Sequence, residues 1–204
     1  MTTLLLTEPL IENYTDLAAN IQAGHKRIAL ADNLAAGGTT VSKGVMAEAV
    51  RYAHEHQVSL DLVIAPRGGQ AIYNDVELKI MEADLLEAQQ LGVDGVILGA
   101  LTANHTLDVE GLQLIIAAAG GMTLTFSTAY DAIPLEHREQ ALNWLADQGF
   151  DYLLSSDNEA NHLLTTHQLA QKVGLTLIPA NLTVAETKTV ATKLGLNLVF
   201  HPQA

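Results

Sequence analysis

Along this 204-residue chain a helical stretch repeatedly ends at a glycine, and an apolar run begins within a few residues. Gly24 precedes Arg27-Ile28-Ala29-Leu30, Gly92 precedes Gly95-Val96-Ile97-Leu98, and Gly149 precedes Tyr152-Leu153-Leu154. Gly174 and Gly195 stand before Leu175-Thr176-Leu177-Ile178 and Leu196-Asn197-Leu198-Val199-Phe200. A glycine just past a helix end adopts the left-handed conformation that satisfies the last carbonyls, so each one marks a helix terminus. From Gly92 through Gly120, Gly149, Gly174 and Gly195 the spacings are 28, 29, 25 and 21 residues, the period of a repeating strand–helix unit.

That period predicts strands near 3–7, 27–31, 60–65, 95–99, 122–126, 151–155, 175–179 and 197–201. Helices are expected near 13–23, 43–56, 75–91, 109–119, 136–148, 159–172 and 183–194. Alternating strands and helices without a long linker outline a single α/β domain over 1–204, a compact TIM-type (β/α)8 barrel whose last strand lacks a covering helix. An open doubly wound sheet shares the alternation, but no GxGxxG fingerprint accompanies it. Hydrophobic residues make up 49% and aromatics 4%, so the core must be Leu, Ile, Val and Ala, as in buried parallel sheets.

The formal charge of −13 argues against nucleic acid and anionic membrane surfaces as partners. The absence of cysteine removes disulfides, thiolate nucleophiles and cysteine metal sites, and fits a cytoplasmic location. Residues 1–6 lack a basic leader region, and no apolar stretch approaches the ~18 residues of a membrane helix.

In a barrel, a site belongs at the C-terminal ends of the strands. The most pointed segment there is Pro66-Arg67-Gly68-Gly69, followed by Asn74 or Asp75 as cap of the next helix. An arginine fork beside two glycines is the makings of an anion pocket. Arg67 is expected to meet Asp131, Asp75 or a bound anion. Gly37-Gly38-Thr39-Thr40 before a helix can cradle an anion on backbone N–H groups, or serve as an ordinary loop. Asp131 is either a general base or the cap of the helix near Leu135. Glu77 and Asp84 share one helix face and read as its solvent side, and Asp108 is a further acidic candidate. His54 with His56, and His162 with His167, have poor metal-ligand spacing and read as solvated helix faces. His201 ends the last strand and is the one weak metal candidate.

Pro66-Arg67-Gly68-Gly69, with Tyr73-Asn74-Asp75-Val76-Glu77 downstream, resembles the CutC family, named for a proposed role in copper homeostasis. The segments Asp32–Thr40, Lys79–Asp84, Leu91–Val96 with Gly99, and Thr125-Phe126 with Asp131 extend the resemblance over nearly the whole chain. It implies a cytoplasmic TIM-type barrel that forms homo-oligomers, and copper as the associated metal. A pocket for an anion or other ligand would draw on Gly37, Gly38, Thr39, Arg67, Gly68, Gly69 and Thr125, with Arg67 and Asp131 as catalytic candidates. The departures matter equally. Ala29-Leu30-Ala31 stands where the family's pattern reads Glu-Leu-Cys, and Leu10 stands near the place of another expected cysteine. Ala65 precedes the Pro-Arg-Gly-Gly run in place of an arginine, and Ser127-Thr128 replaces a His-Arg pair. Copper(I) prefers thiolate and thioether ligands, so direct copper binding is not expected. Two alternatives stand beside the copper-linked role. One is a barrel-mouth enzyme for a small anionic substrate; the other is a non-catalytic oligomeric binding protein.

Overall fold

The computed structural model describes residues 6–157, 159–180, 190 and 198–202. Its strands are β1 (Leu6–Glu12), β2 (Arg27–Ala31), β3 (Ser59–Val63), β4 (Gly95–Leu98), β5 (Thr123–Phe126), β6 (Tyr152–Ser155), β7 (Thr176–Pro179) and β8 (Leu198–Pro202). Its helices are α1 (Leu17–Gln22), α2 (Lys43–Glu55), α3 (Asp75–Leu91), α4 (Val109–Ala119), α5 (Leu135–Asp147) and α6 (Ala160–Lys172). Of the helix expected over 183–194, all but residue 190 lies outside the described residues.

All eight strands are parallel and form one sheet in the order β7-β6-β5-β4-β3-β2-β1-β8. The two strands at the ends of this order, β7 and β8, approach with Cα atoms within 8 Å. The fold is therefore a curled parallel α/β sheet of TIM-like form, and among the described residues the hydrogen-bonded ladder runs unbroken from β7 to β8.

Each strand splits its side chains between two apolar layers, because successive residues face opposite sides. Ile28, Leu30, Leu60, Leu62, Val96 and Leu124 face outward and pack under the helices, against Met46, Met81, Leu85, Leu112, Ile115 and Leu145. Ala29, Ile97, Leu154, Ile178 and Ala180 face the inside of the curl. The glycine signal works as the sequence suggested. Gly92 and Gly120 cap α3 and α4 in the left-handed conformation. Asn74 caps α3 through a capping box with Glu77.

Two expectations need correction. β1 begins later than predicted and runs through Thr7-Glu8-Pro9, the residues read as its end. Glu8 is tolerated in a buried strand because a guanidinium meets it there, and Pro9 costs the ladder only one donor. His167 is buried rather than solvated, since it continues the stripe Leu163, Thr166, Ala170 with which α6 faces the sheet.

Candidate functional site

A cavity of about 220 Å³ opens at the C-terminal ends of β2, β3, β4 and β5. Its walls are the loops that follow those strands, and the polar groups on them are Arg67, Gln70, Tyr73, His105, Ser127 and Thr128. No aspartate or glutamate lines it. The loops are stitched to one another. Gly69 N–H donates to Ala36 O (3.1 Å), Thr40 N–H to Ala65 O (2.9 Å), Leu101 N–H to Ala71 O (2.7 Å), and Ser127 N–H to Leu98 O (2.8 Å).

The glycines serve this stitching. A Cβ on Gly68 would lie 2.4 Å from Ala36 O, so only glycine lets the two loops touch. The backbone N–H groups expected to cradle an anion are engaged inside the protein. Gly37 N–H donates to Leu34 O, Gly38 N–H to Asn33 O, and Thr39 N–H to Asp32 O. Gly37, Gly38 and Gly69 line the cavity, whereas Thr39 and Gly68 stand behind the wall.

Arg67 does not meet Asp131 or Asp75. Its Nε donates to Glu77 Oε1 at 2.5 Å, and its terminal nitrogens donate to the carbonyls of Gly68 (3.3 Å), Gln70 (3.1 Å) and Ile72 (2.6 Å). Tyr73 lies beneath it, 5.2 Å from Cζ to ring centroid. The arginine thus folds its own loop around itself, and Glu77 is the partner because the α3 capping box already holds that carboxylate in place. Hydrogen bonds from Arg67 and from the Asn74 backbone hold the Glu77 carboxyl below its ordinary range. Glu77 is therefore a working partner of this loop and not the solvent-face acid the sequence predicted.

Asp131 is also committed elsewhere. It neither lines the cavity nor caps α5, whose N-cap is Pro134. Its Oδ1 accepts from Ser155 Oγ (2.6 Å), and its Oδ2 accepts from Ser156 N–H (2.7 Å) and Ser156 Oγ (2.8 Å). A carboxylate so occupied ties the loop after β5 to the end of β6. Thr125, expected in the pocket, pairs in register with Ile97 and so faces the inside of the curl, where it is 1% exposed. Asp84 is half-buried, and burial raises its pKa against a hydrogen bond from Thr40. Asp108 caps α4 through Gly111 N–H. His201 falls within β8; its side chain lies outside the described residues.

The sequence reading missed a buried charge cluster inside the curl. Arg27 Nε donates to Glu8 Oε2 at 2.7 Å and its Nη2 to Asp61 Oδ2 at 2.5 Å, with Glu8 and Asp61 each 1% exposed. Burial, its first cause, raises Glu8 to about 8, reinforced by Asp61 and opposed by Arg27. Burial likewise raises Asp61 to about 6 against the pull of Arg27. The Arg27 guanidinium also lies over Tyr152, 4.6 Å from Cζ to centroid. Gly95 makes room, since a Cβ there would sit 2.7 Å from Asp61 Oδ1. The signal was available: three charges in three consecutive apolar strand patterns require one another. His105 was also missed, and a Thr-Ala-Asn-His-Thr loop carries no mark that could have singled it out.

The donor set for copper is poor. Among the described residues no three His, Asp or Glu side chains come together as a ligand group. Met46, Met81 and Met122 are packed in the apolar layer under the helices. His54 bonds Asp94, His56 the Tyr52 carbonyl, and His162 Asp157, each on an exposed surface. The residues present do not fit a soft-metal cage.

A parallel sheet curled in TIM-like form, with a walled cavity at the strand C-termini, defines the class of protein: an α/β protein of TIM-like fold. The chain belongs to the CutC family, whose sequence profile matches residues 5–184. It is 46% identical over 156 residues to a CutC family protein of Enterococcus faecalis, covering 76% of this chain and 75% of that one. A CutC family protein of Streptococcus pyogenes is 43% identical over 152 residues, covering 74% of this chain and 72% of that one. Among solved structures, a CutC from Streptococcus agalactiae, named for copper homeostasis, superposes with a TM-score of 0.92 at 34% identity and 98% coverage of both chains. The resemblance read from the Pro-Arg-Gly-Gly segment is thereby borne out. No helix among the described residues is long and apolar enough to cross a membrane.

Proposed function

We propose that this CutC-family chain is a small-molecule-binding barrel whose working site is the mouth cavity, and that its copper-linked role does not run through a copper site of its own. The observation that carries this reading is the cavity itself: walled by four stitched loops, supplied with polar groups, and free of carboxylates. Its volume, below the ~300–1,000 Å³ of sites for drug-sized ligands, suits a small metabolite. The lining of Arg67 and His105 in a chain of net charge −13 favours an anionic ligand. Whether the ligand is only bound or also turned over, the same cavity serves.

The reading includes a closed (β/α)8 barrel in one domain, supported by the proximity of β7 and β8, and a cytoplasmic, self-associating protein. Self-association is supported by the exposed apolar side chains Val76 and Ile80 on α3 and Leu135 on α5, which a second copy would cover. Anaerobic calorimetry with Cu(I) tests the central claim. The expected result is no submicromolar stoichiometric binding, and its appearance would overturn the claim. Light scattering that returns a monomer at micromolar concentrations would overturn self-association.

A further inference from the structure

The loop between β4 and α4 is a small hairpin closed by an isolated bridge between Leu101 and Leu107. Thr102 N–H donates to Thr106 O (2.8 Å), the two threonine hydroxyls bond each other at 2.8 Å, and His105 N–H returns to Thr102 O (2.9 Å). This geometry holds His105 at the tip with φ of 57°, a left-handed conformation in which a non-glycine residue is uncommon. The imidazole lines the mouth cavity. Its Nδ1 is enclosed without a hydrogen-bond partner. Among the polar groups of the wall, Arg67 has its donors spent on Glu77 and three carbonyls, and Ser127 Oγ accepts from Ala129 N–H. The imidazole thus keeps hydrogen-bonding capacity, on a wall it shares with Gln70, Tyr73 and Thr128.

We infer that the mouth cavity binds a small monocarboxylate, with the His105 imidazole as the group that hydrogen-bonds the carboxylate and the Arg67 guanidinium supplying the neighbouring positive charge. A carboxylate needs only two or three donors around its two oxygens. A phosphate is normally held by several converging backbone N–H groups, and here those of Gly37 and Gly38 are bonded within their own loop and that of Gly69 to Ala36 O. The remaining titratable group on the wall is Tyr73, whose hydroxyl burial pushes up, so it stays a neutral phenol. Glu77 stands behind Arg67 and no carboxylate faces the ligand. The inference rests on the mouth cavity being the working site.

Propionate is a suitable probe, with propionamide and inorganic phosphate as controls. NMR of protein labelled at the histidine rings and backbone amides reads binding, and His105 is assigned with His105→Gln and His105→Gly. Propionate is expected to shift the His105 ring and the Gly69 and Tyr73 amides saturably, while both controls leave them in place. His105→Gln should weaken the affinity roughly tenfold, the loss that follows removal of one hydrogen bond to a charged group. His105→Gly should do the same while melting no earlier than the wild type, because glycine accepts the left-handed backbone without strain. Shifts confined to the loop amides, or propionate binding unchanged in both variants, would overturn the role of His105 and leave the cavity as the site. Equal binding of phosphate would overturn the carboxylate assignment. Absence of any saturable shift at the mouth would overturn the inference together with the cavity reading it rests on.

Discussion

Replacing Arg27 with methionine should destabilise the protein in a manner that depends steeply on pH. Arg27 is bonded to two carboxyl groups that are each 1% exposed, and methionine keeps most of the side-chain volume while removing the charge. A buried carboxylate stripped of its partner takes up a proton, and proton uptake limits the penalty. Asp61 is raised to about 6 with Arg27 in place. At pH 8 the variant must keep Asp61 neutral about two pH units above that value, which costs roughly 3 kcal/mol at about 1.4 kcal/mol per unit. Near pH 6 the same group is already half protonated in the wild type, so the added cost falls below about 1 kcal/mol. The expected loss is therefore about 3 kcal/mol at pH 8, or roughly 6–12 °C in Tm for a chain of this size. Urea melts of both proteins at the two pH values measure it. Equal losses at both pH values would assign the effect to packing alone, and a loss under about 1 kcal/mol at pH 8 would refute the idea that Arg27 neutralises the interior. The triple variant with Glu8→Gln and Asp61→Asn should recover most of the loss, since no buried charge is then left unpaired.

Further outcomes follow from the geometry described above. The wild type should lose stability as pH rises through 6 and 8: Glu8 and Asp61 have raised pKa values in the folded state, so their contribution is complete below the ordinary carboxylate range and fades above it. Glu8→Gln should flatten that slope and raise stability at pH 8, and a steeper slope in a series of chemical melts would count against it. Gly68→Ala should cost about 1–3 kcal/mol, because its Cβ would sit 2.4 Å from Ala36 O; a Tm equal to the wild type would contradict the stitched loop. Arg67→Ala should cost no more than about 1 kcal/mol, since the side chain is 43% exposed, yet it should speed amide exchange across residues 68–73. Unchanged exchange there would show that the arginine does not organise its loop.

The parts of the molecule that the sequence made legible are those governed by local rules. A helix-ending glycine and an apolar run located β2 and β4 to β8 to within a residue or two, and Asn74, one of two cap candidates, located the start of α3. β1 was shifted because its character is not local: Glu8 belongs in a buried strand only when Arg27, nineteen positions on, is beside it. The site was located but its roles were misassigned for the same reason. Arg67 and the glycines do stand at the mouth, but spacing along the chain could not reveal that Glu77 and the carbonyls of its own loop would absorb the guanidinium. Nor could it reveal that Asp131 would turn to Ser155 and Ser156. Side chains with several candidate partners are decided by which loop lies nearest, and that is a property of the curled sheet.

The stitching of the mouth has a kinetic consequence. Ala36 to Gly69, Ala65 to Thr40, Ala71 to Leu101 and Leu98 to Ser127 are backbone bonds between successive loops, so moving any one loop breaks bonds to its neighbours. Among the described residues, these four loops offer the rim no independent flap to shut over a guest. A molecule entering it should associate in a single step, with a rate proportional to its concentration and no plateau from a preceding rearrangement, and leave with a short residence time. Selectivity in such a receptor comes from the fixed shape of the opening and not from closure around the guest.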